Sequence, residues 1–369
     1  MKISIDRETL LKPLQLVSGV VERRQSIPVL ANALLKSDKK SFTLTGTDLE
    51  IELQGRIALE KISEAGEITV PARKLIDICK TLPEKAQIDL NFDGQKVIVR
   101  SGKSRFSLAT LPADEFPKTE EFSATLEFKI PATDLRSVIE KTSFAMAQQD
   151  VRYYLNGLLF EVSDNQLVAV ATDGHRMGYS SIEAKAPGMA QVIVPRKAVL
   201  ELSRLLADTA GEVDVLFGSN QLQVKTDHYV FTTKLIEGRF PDYSKVIPTG
   251  GDKVLIVDRD ILKQALNRVA VLANEKHRGV LFELQAGTLR ITANNTEQEE
   301  AEEELNVNYH GGEMNISFNV TYLFDVINAL NAGNMQFTFT NSDSSIRVEQ
   351  EKSAENNNAD VYVIMPMQL

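Results

Sequence analysis

A chain that repeats itself at a long period folds as copies of one supersecondary unit, so the repeat constrains everything else. Val70–Lys80 is answered 124 positions later by Val194–Arg204, and after another 124 by Phe318–Asn328. Three apolar columns line up: Leu75, Val199 and Leu323; Ile76, Leu200 and Phe324; Ile78, Leu202 and Val326. Their spacing is helical, and Pro71 and Pro195 stand where a first helical turn tolerates proline. A second helix heads each copy, carrying Leu11-Lys12, Leu135-Arg136 and Leu262-Lys263 at offsets of 124 and 127. Asp6, Thr133 and Asp258 lie before these helices as caps. Pro13 falls inside the first, which predicts a late start or a kink.

The ends of the copies recur as well. Leu111–Pro117 and Leu235–Pro241 both close on a Phe-Pro pair, and Val361–Leu369 stands at the end of the third copy. Between the helices lie alternating segments such as Phe42–Thr45, Gln95–Arg100 and Leu222–Lys225, the pattern of antiparallel strands with one buried face. The expected fold is therefore α+β: three modules, 1–125, 126–251 and 252–369, each with two helices packed on antiparallel sheets. Glu355-Asn356-Asn357-Asn358 is expected to be a hairpin tip.

Length and composition agree with this. The 369 residues fit two or three domains, and the apolar runs fall far short of the ~20 residues of a membrane span. Met1–Asp6 has no apolar signal region and Cys79 is the single cysteine, which fits a reducing cytoplasm and no membrane partner. Asp and Glu outnumber Lys and Arg by 51 to 41, which taken alone argues against a nucleic-acid partner. The distribution of charge matters more than its sum. On the repeated second helix the outward stripe reads Arg73, Asp77 and Lys80; Lys197, Glu201 and Arg204; Thr321, Asp325 and Asn328. On the first helix Lys12, Arg136 and Lys263 occupy one aligned position. A plain solvated face accounts for any one helix. Agreement across copies suggests instead a basic surface touching phosphates without reading bases.

Enzymatic readings find little. Asp48, Asp173 and His175 are candidate catalytic or metal-holding residues on paper. Yet His175, His228, His277 and His310 have no ligand spacing, and no phosphate-binding loop or nucleophile elbow is present. Thr47-Asp48 and Thr172-Asp173 read as one turn occurring twice. No catalytic residue, metal or cofactor is expected.

At this point distinctive strings support a family. They are Thr45–Glu50, Val70–Lys74, Ser104–Leu108, Gln149–Gly157, Ala171–Arg176, Gly238–Tyr243 and Met365–Leu369. With these, the chain resembles the bacterial DNA polymerase III beta subunits, the sliding clamps, over essentially its full length. The resemblance implies the DNA-clamp fold and a head-to-tail homodimer of six modules. Its twelve helices, ~9 Å apart on a circle of ~34 Å, would leave a hole of roughly 24 Å for duplex DNA. It further implies a processivity factor that tethers polymerases to DNA without catalysis of its own.

The family pattern carries DNA contact onto Arg24, Arg73, Gln149, Tyr153 and Tyr154. The repeat adds Lys12, Lys80, Arg136, Lys197, Arg204 and Lys263. The tyrosine pair could stack on exposed bases, or belong to a loop packing on the next strand. For closure of the dimer, the resemblance points to Phe106 and Leu108 meeting Val271 and Leu272 of the other subunit. The acidic run containing Glu300, Glu303 and Glu304 would face Lys74, Lys96, Lys103 and Arg105.

A groove for partner peptides is implied at Leu155, Thr172, Gly174, His175, Arg176, Met177, Pro241, Val246, Asn319, Tyr322, Ser345, Val363, Ile364, Met365, Pro366 and Met367. Its flexible methionines suit several related peptides. The implied partners are the DNA polymerase III catalytic subunit, the clamp loader, other polymerases and mismatch-repair proteins, besides sequence-independent duplex DNA. Met177 and Gln368 depart from the leucine and arginine the family pattern leads one to expect, which puts any charged contact at Gln368 in doubt. The competing reading is a peptide-binding scaffold that never encircles DNA.

Overall fold

The computed structural model describes the chain apart from residues 22–26, 39, 60–61, 119–120, 164, 331–332, 352–359 and 369. Arg24 and the segment Glu355–Asn358 lie outside the described residues. Six α-helices are described: α1 (Arg7–Val20), α2 (Ala72–Thr81), α3 (Ala132–Thr142), α4 (Arg196–Leu206), α5 (Arg259–Val269) and α6 (Val320–Ala329). Each follows directly on a strand, with no loop between: Lys2–Asp6, Gly66–Pro71, Ala124–Pro131, Ala190–Pro195, Lys253–Asp258 and Met314–Asn319. The strand-to-helix junction is thus the repeated element of the sequence, made six times.

The molecule divides into two compact units, and the division runs through the second repeat. Unit 1 comprises Met1–Leu135, Lys185–Gly188 and Lys197–Leu235. It holds a five-stranded sheet, ordered Ile62–Glu64, Lys2–Asp6, Gln87–Phe92, Lys96–Ser101, Ser104–Ala109. It also holds an eight-stranded sheet in which Tyr229–Lys234, from the second repeat, pairs antiparallel with Ile51–Ala58 from the first. Unit 2 comprises Arg136–Ala184, Met189–Arg196 and Ile236–Leu369. Its nine-stranded sheet joins repeats two and three where Arg176–Glu183 pairs antiparallel with Val361–Ile364. A four-stranded sheet runs Glu300–Asn306, Thr288–Asn294, Gly279–Gln285, Met314–Asn319.

The helices bury the stripe that periodicity selects. In α5, Leu262, Ala265, Leu266 and Val269 are all buried against the apolar core of unit 2, which includes Phe282, Phe318, Phe337 and Phe339. The column Leu75, Val199, Leu323 is buried throughout, as expected. The column Ile76, Leu200, Phe324 is not: Leu200 is 46% exposed and Phe324 half-buried. The buried arc of α4 is Ala198, Val199, Leu202, Leu205 and Leu206, turned to the other side of Val199. Adjacent helical residues stand ~100° apart, so a small rotation of the helix moves Leu200 into solvent.

The first-helix register also needs correcting. Leu10, Leu135 and Leu262 are each the fourth residue after the strand, and all are buried. Leu11, not Lys12, therefore matches Arg136 and Lys263, and the offset from the first copy to the second is 125. Pro13 brings no late start: α1 begins at Arg7 and the proline is buried within it. Pro71 is the residue before α2, and Pro195 ends its strand, one place ahead of the expected first turn. Of the expected caps, Thr133 lies inside α3, and Asp6 stands at the cap position without capping bonds. Asp258 does cap α5: its Oδ1 accepts from the backbone N–H of Asp260 and Ile261, each at 2.9 Å.

Asp258→Ala is expected to cost about 1 kcal/mol of stability through lost capping, and Asp6→Ala clearly less. Urea unfolding of both variants checks this, and equal losses would contradict it.

Candidate functional site

Two turns of identical design lie beside the sheet junctions between repeats. In the first, Thr47 Oγ1 donates to the Ile51 carbonyl at 2.8 Å and accepts from the Leu49 N–H at 3.0 Å. Asp48 Oδ1 accepts from the N–H groups of Glu50 and Ile51 at 2.9 and 2.7 Å. In the second, Thr172 Oγ1 donates to the Arg176 carbonyl at 2.7 Å and accepts from Gly174 N–H at 3.1 Å. Asp173 Oδ1 accepts from His175 and Arg176 N–H at 2.9 and 3.1 Å. The threonine–aspartate pairs are structural, as their recurrence indicated, because a short polar side chain satisfies the turn's backbone donors. Both turns place their third residue, Leu49 or Gly174, at positive φ, 78° and 88°.

What differs is the helix facing each turn. At the first, Lys197 of α4 donates to Asp48 and to the Val20 carbonyl. At the second, α6 presents Tyr322, stacked 6.4 Å from the His175 ring, and Asp325, which pairs with Arg176. The Arg176 guanidinium lies 4.5 Å from the Tyr322 ring centroid and 5.4 Å from that of Phe144. It also binds Asp173 Oδ2 at 3.0 Å and the Phe144 carbonyl at 3.0 Å. A planar, permanently charged group can meet two carboxylates and two rings at once, which a lysine cannot. Asn319 caps α6, accepting from Thr321 N–H at 2.9 Å.

The adjoining strand borders this cluster within unit 2. Val361–Ile364 pairs with Arg176–Glu183, and the chain continues with Met365 N–H donating to the His175 carbonyl and Met367 N–H to the Ser317 carbonyl, both at 2.9 Å. Alternation divides this strand between two faces. Val363 joins Met177, Leu155, Val170 and Phe240 in a small separate apolar cluster, rimmed by half-buried Tyr154, Tyr179, Ile236, Tyr243 and Ile247. Tyr362 and Ile364 turn the other way into the main core of the unit.

Of the predicted groove residues, Gly174, His175, Pro241, Val246 and Met365 are exposed. Arg176, Asn319, Tyr322, Ser345, Pro366 and Met367 are half-buried. Leu155, Thr172, Met177 and Val363 are buried, and Ile364 is buried on the other face, in the main core of the unit. Sequence reasoning missed Phe144, Asp173 and Asp325 around Arg176, and Tyr179 and Tyr243 on the rim. Tyr179 stands two residues beyond Met177 on one strand, a period-2 signal that could have found it. The Tyr243 hydroxyl donates to Glu161 Oε1 at 3.1 Å, and burial pushes it well above the ordinary phenol range.

The predicted DNA contacts fall into separate groups. In unit 1, Lys12, Arg73, Lys80 and Arg204 converge on an open cleft of about 740 Å³ with Gln15 and Ser18, where four basic side chains meet two acidic ones, Asp77 and Asp208. Lys12 is 3.5 Å from Asp208, and Arg204 is 2.8 Å from Glu201; among the described residues the Arg73 and Lys80 side-chain cations have no partner. Burial is the chief cause that raises the Glu201 carboxyl from its ordinary value. Lys197 is half-buried and occupied by Asp48 and Val20. In unit 2, Arg136 pairs with Glu140 at 2.7 Å and Lys263 donates to Asn328 Oδ1 at 2.7 Å. Gln149 sits at φ 57° in a loop fixed by Asp150, whose carboxyl is held down to about 2 by the Arg152 side chain and N–H. Tyr153 is exposed, whereas Tyr154 packs on the apolar cluster as the loop-packing alternative supposed.

Of the predicted closure residues, Arg105, Phe106, Leu108, Glu300, Glu303 and Glu304 lie on edge strands. Ser104–Ala109 ends the five-stranded sheet and Glu300–Asn306 ends the four-stranded one, each with one strand neighbour among the described residues. Unpaired edges invite pairing with another chain. Lys96, Lys103 and Arg105 are exposed beside the first edge, and Lys74 on α2 is exposed too. Val271, 78% exposed, stands with half-buried Leu272 on the turn after α5. Two details differ from expectation. Leu108 is already buried in its own sheet, and Glu303 and Glu304 are engaged by Arg268 and Arg290 of the same chain, at 2.9 and 3.4 Å.

Models of the DNA polymerase III beta subunit match residues 1–120 as its N-terminal domain, 129–242 as its central domain and 244–368 as its C-terminal domain. The chain belongs to this family. The beta sliding clamp of Pseudomonas aeruginosa is 52% identical over 371 residues, and that of Escherichia coli K12 48% over 370, each alignment spanning the whole of both chains. A crystal structure of a P. aeruginosa sliding clamp bound to griselimycin superposes with a TM-score of 0.95 at 52% identity, covering all of both chains. The α+β arrangement expected from the repeat, and the clamp fold that the resemblance implied, are therefore those of the family.

Within this clamp-family chain, Arg176→Ala leaves two aspartates and two rings without their shared partner. It is expected to cost about 1–3 kcal/mol, seen as a lowered thermal midpoint. An unchanged midpoint would mean that the arginine cluster contributes nothing to the junction.

Proposed function

We propose that two copies of this chain close head to tail into a ring around duplex DNA, as a non-catalytic processivity factor of a bacterial replicative polymerase. The observation that carries the reading is the convergence of Lys12, Arg73, Lys80 and Arg204 on one open cleft of an otherwise acidic chain. Such a surface favours loose, sequence-independent phosphate contact, which permits sliding once enclosure prevents escape. Arg136, Lys263, Gln149 and Tyr153 are further DNA contacts in this reading; Lys197, already engaged, is a minor one. Each chain contributes three modules, 1–125, 126–251 and 252–369, and works in the bacterial cytoplasm.

The ring closes by joining the edge strand Ser104–Ala109 of one copy to Glu300–Asn306 of the other. Phe106 meets Val271 and Leu272, and Glu300 supplies charge to Lys96, Lys103 and Arg105. The groove around His175, Arg176, Tyr322 and Met365 takes short peptides of the polymerase III catalytic subunit, the clamp loader, other polymerases and mismatch-repair proteins. The same groove is the expected site for griselimycin, which the P. aeruginosa relative binds.

With a clamp loader present, the protein is expected to stay on nicked circular DNA through gel filtration and to run off after linearisation. Equal retention on both would leave only the scaffold reading. Val271→Ala combined with Leu272→Ala is expected to give monomers by light scattering; an unchanged dimer mass would refute the assigned closure.

A further inference from the structure

The groove depends on a four-residue strand, Val361–Ile364, held between Arg176–Glu183 and Ile346–Gln350. So short a strand has few backbone bonds to fix its register. A slip of one residue would exchange Val363, on the groove side, with Tyr362 or Ile364 on the core side. Immediately before this strand stands Asp360, a carboxylate only 6% exposed. Lys141 Nζ lies 2.7 Å from its Oδ2, and the fully buried Ser180 Oγ donates to its Oδ1 at 2.6 Å.

The geometry around this pair is specific. The ladder runs Tyr179 to Val361, Gly178 to Tyr362, Met177 to Val363 and Arg176 to Ile364, so Ser180 and Asp360 are the next pair in the same register. Lys141 comes from the last turn of α3, which lies directly on this strand. A Cβ on Gly178 would stand 3.2 Å from Thr142 Cα and 3.3 Å from the Lys141 carbonyl oxygen. The absence of a side chain at Gly178 is what lets the helix end come close enough for the lysine to reach Asp360. A buried ion pair contributes little net stability but strongly penalises arrangements that leave one charge alone.

We propose that Asp360, gripped by Lys141 and Ser180, is a positioning residue that sets the register of Val361–Ile364 and thereby shapes the peptide groove from behind. The inference rests on the groove reading above. A slipped strand would part Asp360 from both partners and carry Met365 away from the His175 carbonyl, so the correct register alone satisfies the charge. Asp360 touches no groove ligand; it acts through Val363 and Met365.

The test measures griselimycin affinity of the full-length chain by calorimetry, together with hydrogen exchange of the Val361–Ile364 amides. Asp360→Asn leaves the largely covered Lys141 ammonium unpaired, and Lys141→Met leaves the buried Asp360 carboxylate unpaired. Each is expected to weaken binding at least 10-fold and speed exchange of these amides by a similar factor, with the dimer mass unchanged. The double variant, which removes both charges, is expected to recover affinity to within about 3-fold of the unaltered chain. Single variants that bind normally would overturn the proposal, as would a double variant no better than the singles or loss of the dimer with loss of binding. Failure of the groove reading is seen separately: griselimycin would then not bind the unaltered chain, or would be indifferent to Tyr322→Ala.

Discussion

Backbone pairing between repeats is the constraint on which the rest of this structure depends. A β-strand at a module's edge exposes a row of N–H and C=O groups, and a module standing alone would have to cover them. Here Tyr229–Lys234 pairs with Ile51–Ala58, and Val361–Ile364 pairs with Arg176–Glu183, so successive repeats share one sheet at each junction. The modules of the sequence are consequently not the compact units of the molecule: the second repeat gives strands to both units.

Each junction comes with the same turn, and the residues around it decide what the junction can do. The first has Leu49 and Glu50, with Lys197 and the buried Ala198 on the helix behind. The second has Gly174 and His175, with Thr321 and Tyr322 at the corresponding helical positions. These differences, with Arg176 where the first turn has Ile51, replace a lysine–aspartate lock by a stacked imidazole and phenol with a guanidinium between two rings. Duplication supplied the geometry twice, and side-chain chemistry made the two copies different.

Electrostatics follow the same logic of local arrangement. The excess of acidic residues says nothing about the cleft of unit 1, where basic side chains outnumber acidic ones. Ion pairs within the chain decide which charges remain available. Lys197 answers Asp48, Arg268 answers Glu303 and Arg290 lies between Glu302 and Glu304, whereas the Arg73 and Lys80 side chains have no partner among the described residues. The exposed pairs among these contribute little stability, so their main consequence is to mask charge.

Much of the fold was legible in the sequence, because the repeat aligns residues that must play the same part. The helix around Leu75, Val199 and Leu323, the strands, the recurring threonine–aspartate turn and the family itself came from patterns local to the chain. What local patterns could not determine was rotation and reach. Leu200 is exposed because α4 is turned on its sheet, and Lys12 matches no basic residue in the other copies because the strand-to-helix junction sets the register one residue away from the alignment. The partners of Arg176 and Asp360 come from 149 and 219 positions away, at Asp325 and Lys141, and no periodicity predicts such pairs. Periodicity is a property of short segments and is written in the order of residues. Which charge meets which depends on how whole sheets and helices pack, and that only the tertiary structure decided.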